Sequence, residues 1–186
     1  MNEFIVYLDL DGVLADFRKG ISKVLNAPEM LNSKKWAFWE DAGKTFEDVD
    51  AICTANFWTN LDWTSDGHNI LRIVTHYVKP ENIYLLTTPM PNLQSAWGKA
   101  EWVNKHLPVY NKRLIITRAP KHLLAGPNRL LIDDNDDNVN GFQEHGGNAI
   151  LINRPWNRLG AKSDYSNQVV NKQFQKILIR LEEISG

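Results

Sequence analysis

Two carboxylate pairs, each at the end of an apolar run, are the residues of this sequence best suited to chemistry. In the first, Phe4-Ile5-Val6-Tyr7-Leu8 runs into Asp9-Leu10-Asp11-Gly12. Side chains alternate faces along a strand, so Asp9 and Asp11 would point the same way if the strand continued. Gly12 predicts a turn instead, which presents both acids at the carboxyl end of a buried strand, where open α/β sheets place their ligand sites. Clustered carboxylates repel one another and are costly to desolvate. A fold that gathers them must compensate the charge, most simply with a hard cation such as Mg²⁺. The second pair follows Leu130-Leu131-Ile132 as Asp133-Asp134-Asn135. Adjacent strand residues face opposite ways, so Asp134 is expected just past the strand end. Asp136 and Asp137 read as solvated loop charge.

Between these pairs, Ile83-Tyr84-Leu85-Leu86 ends in Thr87-Thr88-Pro89, which taken alone is an ordinary strand-end turn. Two lysines are candidates to neutralise the acids: Lys99 in a helical stretch and Lys121 just after a further strand end. His68, His76, His106, His122 and His145 show no metal-ligand spacing. Cys53 reads as a packing residue, and Gly146-Gly147 as a helix-to-strand turn.

The elements that must hold these residues alternate. Short apolar runs near 4–10, 82–88, 113–118, 129–133 and 148–153 predict strands covered on both faces. Helical spacing is present over Asn69–Val78, Leu93–Leu107 and Val169–Ile184. The fold class expected is therefore α/β, a parallel sheet with helices on both faces. Residues 17–66 break the alternation. They carry helical pieces (Arg18–Leu25, Thr45–Cys53) and the aromatic residues Trp36, Phe38, Trp39, Phe57, Trp58 and Trp63, but no core strand. A structureless loop of that length is unusual, so they read as a small helical lobe inserted into a core of residues 1–16 and 67–186. So small a lobe cannot bury every ring, and one or two are expected to face the cleft.

The chain has 186 residues, 43% hydrophobic and 23% charged, with a net charge of −1. That balance gives no general attraction to nucleic acid or anionic membrane, and no stable nucleic-acid partner is expected. One cysteine excludes an internal disulfide and fits a reducing compartment. With no signal segment and no apolar run able to span a bilayer, a cytoplasmic protein is expected.

Asp9-Leu10-Asp11-Gly12-Val13 resembles the first motif of the haloacid dehalogenase (HAD) superfamily of phosphohydrolases. The resemblance implies a Rossmann-type core with a cap over the site and a covalent mechanism. Asp9 would be the nucleophile and Asp11 the general acid/base. It further implies that Thr87 hydrogen-bonds the phosphate, with Thr88 as a second donor, that a lysine neutralises it, and that Asp9, Asp11, Asp133 and Asp134 hold Mg²⁺. A hydroxyl suits the phosphate because it donates without adding a competing charge.

Together, Asp9 to Phe17, Thr87-Thr88-Pro89, Lys99-x-x-Trp102-Val103, Ile116-Thr117-Arg118 and Leu131-Ile132-Asp133-Asp134 are similar to the 5′(3′)-deoxyribonucleotidases. Those remove phosphate from deoxyribonucleoside monophosphates. By that likeness Phe17 and cap aromatics stack on the base, and Lys99 or Lys121 binds the phosphate. Other small phosphate esters, a nucleic-acid 3′-phosphate, or a binding module without catalysis are the alternatives.

Overall fold

The computed structural model describes residues 4–160, 170–177 and 179. Strands β1 (Ile5–Leu8), β2 (Ile83–Thr87), β3 (Leu114–Ile116), β4 (Arg129–Asp133) and β5 (Asn148–Leu151) form one sheet in the order β3-β2-β1-β4-β5. Every pairing is parallel. The helices are α1 (Phe17–Leu25), α2 (Phe46–Ile52), α3 (Ala55–Thr59), α4 (Gly67–Tyr77), α5 (Leu93–His106) and α6 (Asp136–Glu144), and residues 170–177 are helical as well. Parallel neighbours need long crossovers, which α5 supplies between β2 and β3 and α6 between β4 and β5. Among the described residues no helix is long and apolar enough to cross a membrane.

Successive strand residues enter opposite cores, which is why the runs are apolar throughout. Val6, Leu8, Ile83, Leu85, Leu130, Ile132 and Ile150 join the larger core, with Trp102 and Val103 of α5 and Val170 and Phe174 near the carboxyl end. Tyr7, Leu86 and Leu131 pack on the other face against Phe142 of α6. The first strand is shorter than the expected 4–10. After Leu8 the chain turns, and the Leu10 carbonyl accepts from the N–H groups of Val13, Leu14 and Ala15 at 3.2, 2.7 and 2.8 Å. The third and fifth strands are also shorter than the apolar runs that predicted them. Of the helix expected over 169–184, residues 169, 178 and 180–184 lie outside the described residues.

Residues 17–66 are helical, with 3₁₀ turns at Pro28–Asn32 and Phe38–Ala42 and no strand. Local chemistry sets the helix ends. The Asp16 side chain accepts from Lys19 N at 3.0 Å, and Asn26 ends α1 in the left-handed region at φ 49°. Thr45 and Asp48 cap α2 reciprocally. The segment does not keep its apolar residues to itself. Met30, Phe38, Trp39, Val49, Cys53 and Trp58 belong to the same core as the sheet. α3 lies so close to α5 that a Cβ on Gly98 would come 2.6 Å from the Ala55 carbonyl oxygen. Sharing the sheet's core lets the segment bury Phe38, Trp39 and Trp58, whereas Trp36 stays 52% exposed.

Candidate active site

With β1 central and the chain leaving it in both directions, the carboxyl ends of β1, β2 and β4 border one crevice. Asp9 follows β1, its N–H bonded to the Ile132 carbonyl at 3.0 Å. Asp133 is the last residue of β4, and Asp134 is the next. Carboxylate oxygens of Asp9, Asp133 and Asp134 lie within 4.8 Å of one another, and all three residues are buried. Asp133 is held by the Asn135 N–H at 2.9 Å, by Asn138 Nδ2 at 3.1 Å and by Lys121 Nζ at 2.7 Å. Lys121, on the 3₁₀ turn Lys121–Leu124, also lies 2.8 Å from Asp9 Oδ1.

Burial raises the Asp9 carboxyl to about 7; Asp133 and Asp11 add to the rise, and Lys121 opposes it. Burial also holds the Asp134 carboxyl well above its ordinary value, with Asp133 and Asp9 adding to it. Burial disfavours the Lys121 ammonium, yet Asp133 and Asp9 outweigh that and raise its pKa.

The Asp11 carboxylate stands apart from this acid group. It is paired with Lys99, a buried lysine of α5 that also donates to Thr87 Oγ1 at 3.1 Å. The Lys99 ammonium sits 4.5 Å from the centre of the Trp58 ring. The two lysines thus divide the acids: Lys121 serves Asp9 and Asp133, and Lys99 serves Asp11. Thr87 is fully buried at the end of β2, whereas Thr88 is exposed at the edge of the cleft.

The donor set fits a divalent cation. Three carboxylates (Asp9, Asp133, Asp134) meet one ammonium group, Lys121, and three minus one leaves two formal negative charges. Asp9 Oδ1 is buried with the Lys121 ammonium 2.8 Å away, and Asp11 Oδ1 is buried and accepts no hydrogen bond among the described residues. All these ligand atoms are oxygens, the preference of hard cations.

Above the acids lies a cleft of about 570 Å³ whose walls include Phe17, Trp36, Phe38, Trp39 and Trp58. Phe17 is half-buried and stacks on Trp58, with ring centres 5.0 Å apart and planes within 5°. Phe57 packs edge-on against Phe17 at 6.0 Å behind this wall. Two parts of the cleft escape the sequence reading. One is Arg18, a buried guanidinium that reaches the carbonyls of Ser33 at 2.5 Å and Lys35 at 2.9 Å. The other is the turn after β5, where Arg154 and Trp156 complete the wall. A polar and aromatic cluster directly after the last core strand was the available signal, because strand ends border the crevice.

A family model described as "5′ nucleotidase, deoxy (Pyrimidine), cytosolic type C protein" matches residues 3–183. The chain belongs to that family. It is accordingly a hydrolase of the nucleotidase phosphatase class. A 5′(3′)-deoxyribonucleotidase of Bacillus subtilis (strain 168) is 23% identical over 158 residues, covering 83% of this chain and 87% of the relative. Among solved structures, a HAD family hydrolase of Deinococcus radiodurans R1 with bound phosphate and sodium aligns with a TM-score of 0.58 and 13% identity, over 94% of this chain and 96% of that one. The HAD-hydrolase YfnB of Bacillus subtilis, bound to magnesium, aligns with a TM-score of 0.52 and 12% identity, over 82% and 88% of the two chains. The parallel sheet of this enzyme is thus the HAD fold.

Proposed function

We propose that this enzyme removes the phosphate of deoxyribonucleoside and ribonucleoside monophosphates through an aspartyl-phosphate on Asp9, with deoxyribonucleotides preferred. The observation that carries this reading is the buried group Asp9, Asp133, Asp134 and Lys121 beneath an aromatic-walled cleft. Asp9 attacks phosphorus as the ester P–O bond breaks, and Asp11 gives a proton to the leaving oxygen. Asp11 then takes a proton from water as that water attacks phosphorus, which breaks the bond to Asp9 and releases inorganic phosphate. Lys99 keeps Asp11 in place. Lys121, Thr87 and Thr88 hold the phosphate oxygens.

Asp9, Asp133 and Asp134 would hold Mg²⁺, which when bound shields the attacking carboxylate from the charge of the phosphate. The all-oxygen donor set supports this, as do the magnesium and phosphate bound by other hydrolases of this fold. Residues 17–66 act as a cap over a small substrate. A single buried cysteine supports a cytoplasmic setting, and a net charge of −1 suits a small nucleotide rather than a polymer.

Rings close to the sugar would leave a ribose 2′-hydroxyl unpaired, at a cost of about 1–3 kcal/mol. The test is phosphate release from a panel of deoxynucleotides, ribonucleotides and sugar phosphates, with and without Mg²⁺. Deoxynucleotides are expected to give the highest kcat/KM. A hexose phosphate that equals or exceeds every deoxynucleotide would overturn the nucleotidase reading and leave a small-ester phosphatase.

A further inference from the structure

The turn Asn153–Arg158 takes no part in the chemistry above, yet it is fastened to both acid-bearing turns. Trp156 Nε1 donates to Asp134 Oδ2 at 2.8 Å. Asn157 Nδ2 donates to the Asp134 carbonyl at 2.9 Å and to the Ile152 carbonyl at 2.7 Å. Arg154 Nε donates to the Gly12 carbonyl at 2.5 Å, while its terminal nitrogens grip Asp66 at 2.9 and 2.7 Å.

The Trp156 ring has two close neighbours. The Arg18 guanidinium lies 4.1 Å from its centre. A Cβ on Gly12 would come 3.1 Å from Trp156 Cζ2 and would collide with the Asp134 carboxylate. Gly12 also has φ +72°, so two independent demands require glycine there.

We infer that Trp156 is a positioning residue that sets how tightly the acid group holds its cation. This rests on the reading of Asp134 as a metal ligand. Asp134 is buried beside two other acids, and repulsion alone would turn its carboxylate away from them. A neutral indole N–H fixes the rotation of that carboxylate and satisfies one of its lone pairs. It adds no positive charge that would compete with the cation. Because packing against Arg18 and Gly12 holds the ring, the carboxylate is set before any cation arrives. Partners behind metal ligands commonly change metal affinity by about 10- to 100-fold.

The experiment is calorimetric titration of metal-stripped protein with Mg²⁺ alone, on the wild type, Trp156→Phe and Trp156→His. Trp156→Phe keeps a ring under Arg18 and loses the donor, and its Mg²⁺ Kd should rise by about 10- to 100-fold. The Mg²⁺ concentration for half-maximal nucleotide hydrolysis should shift by the same factor. Thermal unfolding of metal-free Trp156→Phe should stay as cooperative as that of the wild type, which separates lost Mg²⁺ affinity from a general packing defect. Trp156→His, which keeps a ring N–H, should recover much of the affinity.

An Mg²⁺ Kd for Trp156→Phe within about twofold of wild type overturns the proposal. If the wild type itself binds no Mg²⁺, the metal reading falls and this proposal with it. If Mg²⁺ binds but no nucleotide is hydrolysed, the nucleotidase reading fails while the comparison of Kd values still decides the role of Trp156.

Discussion

At the ends of β1 and β4, Asp9, Asp133 and Asp134 are buried charges, and Asp9 and Asp133 share Lys121 as a partner 2.7–2.8 Å away. Across the same cleft, the segment from Phe17 to Trp58 offers rings, held by packing with centre-to-centre spacings of 5.0 to 6.0 Å. A buried charge tolerates little displacement, because a lost partner leaves its desolvation uncompensated. Strand ends, fixed by ladder hydrogen bonds, suit that demand. Rings in a shared core accept exchange of volume and shape more readily. The contrast supports the proposal that the floor carries the chemistry and the wall selects among substrates.

Substitutions on the floor should be the most damaging. Asp9→Asn should abolish turnover yet fold, since it keeps the shape and removes one negative charge from a crowded site. Near-normal phosphate release by this variant would rule out the covalent mechanism. Asp11→Asn should lower kcat by about 10²–10⁴-fold, and rapid quench followed by acid denaturation should reveal trapped phosphoenzyme.

The wall should show a smaller and selective effect. Phe17→Ala should lower kcat/KM for deoxynucleotides by roughly 5- to 150-fold, the equivalent of one lost stacking contact of about 1–3 kcal/mol. Hydrolysis of a small aliphatic phosphate ester should change by less than about threefold. Equal losses on both substrates would erase the distinction between floor and wall.

Removing the metal should expose the strain in the floor. Asp9 is raised by burial to about 7 from an ordinary 3.8, and Asp134 is raised as well. Between those values the folded, metal-free protein binds more protons than the unfolded chain, so these groups lower stability as pH rises through that window. The exposed Asp41, Asp48 and Asp62 are shifted downward and slope the other way. The informative comparison is therefore wild type against Asp9→Asn. Without metal, the wild-type Tm should lose several degrees relative to the variant as pH rises from about 4 to about 7, the interval between the unfolded and folded values of Asp9, and Mg²⁺ should offset most of that loss in the wild type. Parallel Tm profiles would contradict the buried-charge account.

The smallest effect belongs to Cys53, which lies in the larger core. It is fully buried, and burial, with Asp50 and Asp11 adding, pushes its thiol up to about 12. Iodoacetamide should label it only after unfolding. Cys53→Ala should cost about 0.5–1.5 kcal/mol of stability, as for one deleted buried group, with kcat changed by less than about twofold. Labelling of the native protein would show that the segment opens.

Much of the floor was legible before any coordinates, because the two acid pairs end apolar runs and such runs are buried strands. The parallel sheet and the helix between β2 and β3 followed from the alternation of periods, whereas the strand order did not, and Asp136 and Asp137, read as loop charge, open α6 instead. The partners of Lys99 and Lys121 were not legible, since a lysine's reach through space leaves no periodic trace. Which rings would be buried was not legible, for a related reason. Phe38, Trp39 and Trp58 are buried, while Trp36 is exposed at the cleft. Treated as a separate small lobe, residues 17–66 lack enough core, but in the fold they borrow the core of the sheet.

The sequence by itself determined that carboxylates stand at the ends of buried strands, because apolar runs and a glycine turn are local properties of the chain. Only the tertiary structure decided which charge meets which. Arg154 reaches Gly12 across 142 positions, Lys99 reaches Asp11 across 88, and Trp156 reaches Asp134 across 22. Contacts of that kind arise when the sheet closes and the strand ends converge, and no local pattern encodes them.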